Sequence, residues 1–237
     1  MLPHDQWLLM GAVAGLYLYD AALLLFHNEV VLEARRRGYV VSVGSVLELR
    51  GRHLFLPNPC FPHRALARLS WPHGGSPDWR PTRWKRSMLA LSVIAPWTWL
   101  LLGLFFVGLP CALQFGTDVV LLGWLALTYL VIATMLVQVC RHRKALDLAP
   151  RAVLALAVDA LLCAPFALNM VRKISLRQAS AASLRAFASS MLSPAENGTL
   201  TGVLHDRISI SLDHVEPGSE ASNVLHAYLK HDEDRFS

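Results

Sequence analysis

Two apolar stretches, MLALSVIAPWTWLLLGLFFVGL (Met88–Leu109) and DVVLLGWLALTYLVIATMLVQV (Asp118–Val139), decide the fold of this chain. Asp118 is their one charged side chain, and no Lys or Arg occurs in or between them. Each stretch has 22 residues, which as a helix is roughly 33 Å long, enough to cross a bilayer core. Because backbone groups at that depth must be paired within the segment, both stretches are predicted to be helices. With the turn Pro110–Thr117 they form a transmembrane hairpin.

The composition also indicates a membrane protein. Hydrophobic residues make up 54% of the chain and charged residues 16%, with a mean hydropathy of +0.39. The net charge of +5 is typical of a membrane protein whose Lys and Arg collect in cytoplasmic loops. No nucleic-acid recognition module is visible, which argues against a nucleic-acid partner. The four cysteines form no CxxC pair and are predicted to be free thiols. The usage of Ala, Leu, Arg and Trp favours a bacterial inner membrane.

A third membrane helix is predicted at Trp7–Phe26. Its apolar run is longer than the core of a signal peptide and no small-x-small cleavage site follows, so we expect an anchor that is retained. Gly11 and Gly15 have the GxxxG spacing that lets two helix backbones approach closely, although two glycines in an Ala-rich helix have the same appearance. Asp20 lies about 180° round the helix from Gly11. If both sides face protein, this helix is contacted on two sides.

The loop between the first and second helices is basic. It contains eleven Lys and Arg against four Asp and Glu. The β-branched and aliphatic runs Tyr39–Val43, Val46–Leu49 and His53–Leu56 predict a small hairpin or ribbon at the membrane surface. A short helix is predicted near His63–Ser70.

The end of this loop alternates Trp with basic residues. Trp prefers the headgroup level, and basic side chains just inside it attract anionic lipid headgroups. We expect ordinary anchoring of the next helix, with a specific headgroup site as the alternative. The lipid-anchoring candidates are Trp79, Arg80, Arg83, Trp84, Lys85 and Arg86.

A fourth apolar run, Ala152–Val171, is interrupted by Asp159, Pro165 and Asn169. Its apolar residues favour insertion by about 4 kcal/mol in all, and one central Asp costs about 3 kcal/mol. The run is therefore a marginal helix, either a fourth span, which its length favours, or a re-entrant segment.

The C-terminal region is predicted to be mixed in structure. Arg172–Leu192 has the pattern of an amphipathic helix on the bilayer surface. Arg207–Asp213 alternates apolar and polar residues, which predicts a strand that pairs with Leu200–Leu204. Glu220–Lys230 is predicted to be a short helix.

These elements define an all-α integral membrane protein with three transmembrane helices, a marginal fourth, a small β-containing basic loop and a mixed tail. The predicted segments are 1–27, 28–87, 88–139, 140–151, 152–171 and 172–237. Placing the N-terminus outside keeps fifteen Lys and Arg of the two basic loops on the cytoplasmic side. A spanning fourth helix would expose Arg172 and Lys173 outside, whereas a re-entrant one keeps all 22 Lys and Arg inside.

Asp20 and Asp159 are the unusual positions of the membrane region. In a four-span model both lie in its cytoplasmic half, with no Lys, Arg or His inside a span to neutralise them. A carboxylate buried without a partner favours its uncharged form, as a proton- or cation-coupled step requires. Tyr129 and Thr128 of the third helix are candidate hydrogen-bond partners. We favour the simpler interpretation, in which each Asp extends toward the membrane interface or bonds a neighbouring helix and serves assembly alone.

Two main functions follow from these features. The first is a non-enzymatic structural or assembly subunit of a membrane complex, with anionic lipid and a protein partner or a second copy as its contacts. The alternative is a component of a proton- or cation-coupled transporter. No nucleophile elbow, HExxH, P-loop or paired membrane histidine occurs, so an enzyme is the least favoured class. The His and Cys spacings match no zinc pattern, and neither cofactor nor metal is predicted.

Overall fold

The computed structural model describes residues 4–26, 28–45, 47–70, 80–179 and 183–212, with a few positions beyond (218, 219, 222, 223 and 226). The helices are α1 (His4–Ala21), α2 (Pro81–Gly103), α3 (Leu109–Phe115), α4 (Asp118–His142), α5 (Pro150–Leu162), α6 (Met170–Ala179), α7 (Leu184–Met191) and α8 (Pro194–Leu212). The strands are β1 (Leu23–Leu25), β2 (Glu29–Arg35), β3 (Gly38–Ser42), β4 (Glu48–Leu49), β5 (Arg52–Phe55) and β6 (Leu66–Ser70). The predicted mostly helical chain with a small β region is confirmed.

The central hairpin is longer than the sequence predicts. A π-helical turn, Leu104–Gly108, joins α2 to α3, so one helix runs from Pro81 to Phe115. Pro110 is tolerated because it lies in the first turn of α3, directly after the π turn, where a missing amide hydrogen costs little. The helix ends at Gly116, whose φ of 63° is left-handed. The predicted turn Pro110–Thr117 is thus wrong at its N-terminal end.

Two helices in the described part of the chain are long and apolar enough to cross a membrane: the 35-residue helix Pro81–Phe115 and the 25-residue helix Asp118–His142. They pack against each other as an antiparallel pair, and the Ser87 hydroxyl donates to the Ala145 carbonyl just past the end of α4. These are the two predicted hairpin helices. The third and fourth predicted spans are not confirmed.

The N-terminal helix stops earlier than predicted. α1 ends at Ala21 and Leu23–Leu25 is a strand, so a single helix over Trp7–Phe26 is wrong. Pairing of Leu24 with Leu54 of β5 takes the chain into a sheet, and this tertiary contact overrides the apolar helical pattern. α1 runs antiparallel to the long helix of the hairpin. The Gln6 amide bonds the Leu113 carbonyl at 3.3 Å, and the Tyr17 ring meets Phe106 edge-on.

The fourth apolar run is a helical hairpin rather than one helix. α5 has 13 residues, roughly 20 Å, too short for a bilayer core of about 30 Å. A 3₁₀ turn, Ala164–Asn169, then reverses the chain into α6. The Arg177 guanidinium at the end of α6 donates to the Ala152 carbonyl near the start of α5 at 3.3 Å. The segment therefore returns to the level at which it began, as the re-entrant alternative requires.

The strands form two antiparallel three-stranded sheets. Sheet A has the order β1-β5-β4, and sheet B has the order β3-β2-β6. The predicted runs Tyr39–Val43, Val46–Leu49 and His53–Leu56 overlap β3, β4 and β5, but β3 pairs with β2 instead of β4. The predicted helix His63–Ser70 is wrong, since Leu66–Ser70 is a strand paired with β2.

Helices α6, α7 and α8 cover sheet B. Leu184 and Phe187 of α7 are buried in one cluster with Val30 and Leu69 of the sheet. The amphipathic pattern of Arg172–Leu192 is thus real in α6 and α7, but its apolar side faces protein instead of lipid. Residues 180–182 within it lie outside the described residues.

The predicted strand pair in the tail is wrong, since 200–204 and 207–212 belong to α8. Leu200, Leu204 and Ile208 recur every four residues and are all buried, so the helical period prevails over the two-residue alternation. Ser193 and Glu196 form a capping box, with the Ser193 amide donating to the Glu196 carboxylate at 2.7 Å. The predicted helix Glu220–Lys230 lies largely outside the described residues.

Ser175 joins α6 to the edge strand β6. Its hydroxyl accepts from the buried Leu66 amide at 2.8 Å and donates to the Arg172 carbonyl at 3.0 Å. In Ser175→Ala the Leu66 amide loses its partner, which costs about 1–3 kcal/mol. We expect a lower Tm in detergent than for Ser189→Ala, whose hydroxyl is exposed and bonds only its own helix. Equal Tm values for the two variants would contradict the assignment.

Candidate functional site

A cluster of charged side chains lies where α1, α5 and α6 meet. The Lys173 ammonium is 2.7 Å from Asp20 Oδ1 and 3.5 Å from Asp159 Oδ2. The structure therefore brings the two predicted carboxylates to one cation. The expectation that no basic side chain neutralises them is wrong. It failed because the chain reverses at Ala164–Asn169, so that α6 runs back along α5 and brings Lys173 to the carboxylates.

The two carboxylates differ in surroundings. The Asp20 side chain is 10% exposed, whereas that of Asp159 is 49% exposed. Asp20 also accepts from the Asn169 amide at 3.1 Å. Asp20 is thus the more enclosed member of the pair, and Asp159 lies at the surface of the protein.

Arg172, which precedes Lys173 on α6, is buried. Its guanidinium donates to the Asn169 side-chain oxygen at 3.0 Å, the Asn58 carbonyl at 2.6 Å and the Phe61 carbonyl at 3.1 Å. Asn169 in turn donates to the Tyr17 carbonyl at 3.0 Å. A buried charge needs such partners, because an unpaired one costs several kcal/mol. Arg172 therefore holds the loop before β6 and the end of α1 against the α5–α6 hairpin.

Chemically, this cluster is a fixed ion pair with one accessible carboxylate. The Lys173 ammonium also lies 4.8 Å from the centre of the Phe166 ring, which adds a cation–π contact. The described residues contain no group of three His, Cys, Asp or Glu side chains placed to hold a metal ion. The arrangement joins α1, α5 and α6, and the Asp159 side chain lies half-exposed beside Lys173.

The other predicted partners of the carboxylates make different contacts. The Tyr129 hydroxyl donates to the Leu161 carbonyl at 3.1 Å, at the tip of α5. The Thr128 hydroxyl donates to the Trp124 carbonyl of its own helix at 2.9 Å. Both side chains lie on α4. The Tyr129 bond joins α4 to α5, the Thr128 bond stays within α4, and neither of them joins Asp20 or Asp159.

The predicted lipid-anchoring residues divide into two groups. Arg80, Lys85 and Arg86 are exposed at the start of α2, and Arg83 there pairs with Asp147. Trp79 lies outside the described residues.

Trp84 is buried, so its assignment to lipid anchoring is wrong. Its indole donates to the Tyr39 hydroxyl at 2.9 Å, and its ring meets Phe187 edge-on. Burial raises the pKa of the Tyr39 phenol, although this hydrogen bond acts in the opposite direction. Trp84 therefore joins α2 to sheet B.

The glycine pair of α1 faces outward. A Cβ built on Gly11 or Gly15 meets no atom within 4 Å, whereas Val13 and Tyr17 on the other side are buried. Of the two sides expected to contact protein, the one bearing Asp20 does so within this chain. The glycine side is open.

The residues that complete the cluster were missed from the sequence. Asn169, Arg172 and Lys173 share one helical face at spacings of three and four, and this signal was present. The sequence did not indicate the cluster because Arg172 and Lys173 were predicted to lie beyond the end of a span.

The chain matches no family model, no curated protein and no solved structure.

The unequal burial of the two carboxylates gives a paired test. Asp20→Asn leaves Lys173 without its close partner and should destabilise the fold by about 3 kcal/mol. Asp159→Asn removes a longer, half-exposed contact and should cost less than about 1 kcal/mol. Thermal unfolding in detergent measures both. A larger loss of Tm for Asp159→Asn would show that Lys173 depends on that residue instead.

Proposed function

We propose that this chain is a non-enzymatic structural or assembly subunit of a membrane complex. The open glycine face of α1 is the observation that most favours this role. It assumes a membrane location, which the surface of the helical part supports. In the most apolar 18-residue stretch of each long helix, only 33% of the residues (Pro81–Phe115) and 22% of the residues (Asp118–His142) are buried. The core helices of a soluble protein are mostly buried. Large exposed apolar patches mark membrane or protein contacts.

The exposed apolar side chains continue beyond the hairpin. Leu8 of α1 is 61% exposed and Leu154 of α5 is 64% exposed, similar to Leu89 and Leu122 on the long helices. A bilayer that surrounds all these helices would cover such side chains together. We infer a multi-pass protein in which α1, α2–α3 and α4 cross the membrane, with α5 and α6 re-entrant.

The proposed orientation has the N-terminus outside, in a bacterial inner membrane. Because the end of α6 returns to the start of α5, the re-entrant arrangement keeps Arg172, Lys173 and Arg177 on the same side as Arg141 and Arg151. All 22 Lys and Arg then belong to the cytoplasmic side, which agrees with the preference of basic residues for that side. The Gly116–Thr117 turn lies outside.

The assembly role rests on α1. Gly11 and Gly15 form a flat strip, flanked by the exposed side chains of Leu8 and Tyr19. In membranes, small residues at this spacing let helices approach closely, and packing then provides the association energy. No atom of the described residues lies within 4 Å of a Cβ at either glycine, so the strip suits a helix of another subunit or of a second copy.

A transporter component is the second candidate. Lys173 lies between two carboxylates, and Asp159 is half-exposed. A tethered ammonium between carboxylates is an arrangement that a proton or small cation can exchange with. Proton flux into liposomes that contain the protein, lost in Asp159→Asn while the fold is retained, would favour this candidate. A protein that passes no protons at any pH from 5 to 8 would exclude proton coupling.

The glycine strip predicts a specific loss of association. Gly11→Leu with Gly15→Leu fills the strip, and because a Cβ at either position meets no described atom within 4 Å, the fold should be retained. We expect at least tenfold weaker association with the partner or second copy, about 1.4 kcal/mol. Size-exclusion chromatography with light scattering in mild detergent measures the assembly.

Gly103→Leu with Gly123→Leu is the matched control, since these two glycines are also open and lie on α2 and α4. The control should assemble like the parent. A parent protein that purifies as a lone monomer, or a control that dissociates equally, would contradict the assembly role of α1.

The orientation is testable by cysteine labelling. In a variant with its four cysteines replaced, Thr117→Cys should react with an impermeant maleimide in intact spheroplasts. Asp206→Cys on α8 should react only after lysis. Both positions are exposed, so access depends on the side of the membrane alone. The reverse labelling pattern would overturn the proposed orientation, and labelling of both in intact spheroplasts would exclude sequestration of α8.

A further inference from the structure

Sheet A has one face buried in the protein. Leu23, Leu25 and Phe55 point to this face, where they pack with Val31 of sheet B and Leu66 of β6. Residues directly opposite in an antiparallel pair share a face, and neighbours along a strand alternate. Leu24 and Leu54, which are paired, therefore belong to the other face.

The outward face of sheet A is almost wholly apolar. Its outermost side chains are exposed by 41% to 69%. Among the described side chains of this face, Arg52 is the one that is charged. By register and alternation the face contains Leu24, Phe26, Leu47, Leu49, Arg52, Leu54 and Leu56.

We propose that the outward face of sheet A lies against the membrane interface and binds anionic phospholipid. This inference rests on the proposed membrane location. β1 begins two residues after α1 ends, so the face continues directly from a helix whose apolar side chains are exposed. Tyr19 in the last turn of α1 is 78% exposed, and Phe26 follows at the near edge of the sheet. One bilayer surface would cover both.

The residue types favour lipid over a protein partner. Protein interfaces concentrate binding energy in Trp, Tyr and Arg, and Leu is under-represented among such residues. Here leucines dominate: Leu47, Leu49 and Leu56 protrude in the absence of Trp or Tyr on the described part of this face. Interfacial insertion needs apolar area together with cationic side chains near the headgroups, and it does not need specific shape.

Arg52 is placed to reach the headgroups. Its guanidinium lies 4.2 Å from the centre of the Phe26 ring, so the side chain covers apolar surface while its charge stays at the edge. Arg50 stands at the tip of the β4–β5 hairpin, in a two-residue turn with Gly51 in which both residues have positive φ. Two cations therefore border the leucines, and an anionic phosphate is the complementary group.

The test measures the depth of single fluorescent labels on the full-length protein in vesicles of phosphatidylcholine and phosphatidylglycerol. Cysteines replace Leu49, Leu122 or Asp206 one at a time in the cysteine-free background and are labelled with nitrobenzoxadiazole. Quenching by spin-labelled lipid reports bilayer contact, and quenching by iodide reports water contact. We expect the Leu49→Cys label to be quenched at least threefold more by the lipid quencher than the Asp206→Cys label, and to be protected from iodide.

The Leu122→Cys label on α4 separates the two proposals. If it is not quenched by lipid, the membrane location itself fails. If it is quenched by lipid while the Leu49→Cys label is quenched by iodide, only the sheet proposal fails. A Leu49→Cys label protected from both quenchers means that protein, such as a second copy, covers the face, which also overturns the proposal.

The headgroup contact has its own readout. Arg52→Gln with Arg50→Gln should reduce lipid quenching of the Leu49→Cys label in vesicles with phosphatidylglycerol and have little effect in pure phosphatidylcholine. The matched control is Arg36→Gln with Arg37→Gln in the β2–β3 turn, where both residues are exposed. Equal effects of the two pairs would contradict a specific role for the hairpin arginines.

Discussion

The need to pair the two neighbouring cations of α6, one buried and one partly buried, constrains the whole arrangement. Arg172 and Lys173 are consecutive, and cationic side chains can be removed from solvent only where oxygen atoms lie close to both. Loop carbonyls of Asn58 and Phe61 and the carboxylate of Asp20 supply those oxygens. The end of α1, the loop before β6 and the α5–α6 hairpin must therefore meet at one place. Because these groups come from distant parts of the sequence, the cluster determines how helices and sheets are joined.

The long helices were predictable because their signal is local. Two uninterrupted apolar runs without Lys or Arg leave few alternatives to a helix, and both are present. Errors came where a tertiary contact decided the outcome. Leu23–Leu25 reads as helix until β5 is known to pair with it, and Leu66–Ser70 reads as helix until β2 supplies its hydrogen bonds. The sequence of α8 contains both a two-residue alternation, typical of a strand, and a four-residue recurrence of apolar side chains, typical of a helix. Burial against sheet B favours the helix.

The candidate site was half predictable for a similar reason. A carboxylate in an apolar run is visible in sequence, so Asp20 and Asp159 were found. Their partner Lys173 was not, because its position depends on a chain reversal at Pro165. That proline lacks an amide hydrogen and begins a 3₁₀ turn in place of a continued helix. The marginal insertion energy of Ala152–Val171 was the sign in the sequence that this run need not be one continuous helix.

The distance along the chain between Asp20 and its partners has a consequence for biosynthesis. Asn169 follows Asp20 by 149 residues, and ribosomes add about 5–20 residues per second. The carboxylate of Asp20 is thus made roughly 7–30 s before Asn169 and Lys173. During that interval α1 is an incomplete element that bears a bare acidic group. A chain truncated before residue 169 lacks both partners of Asp20.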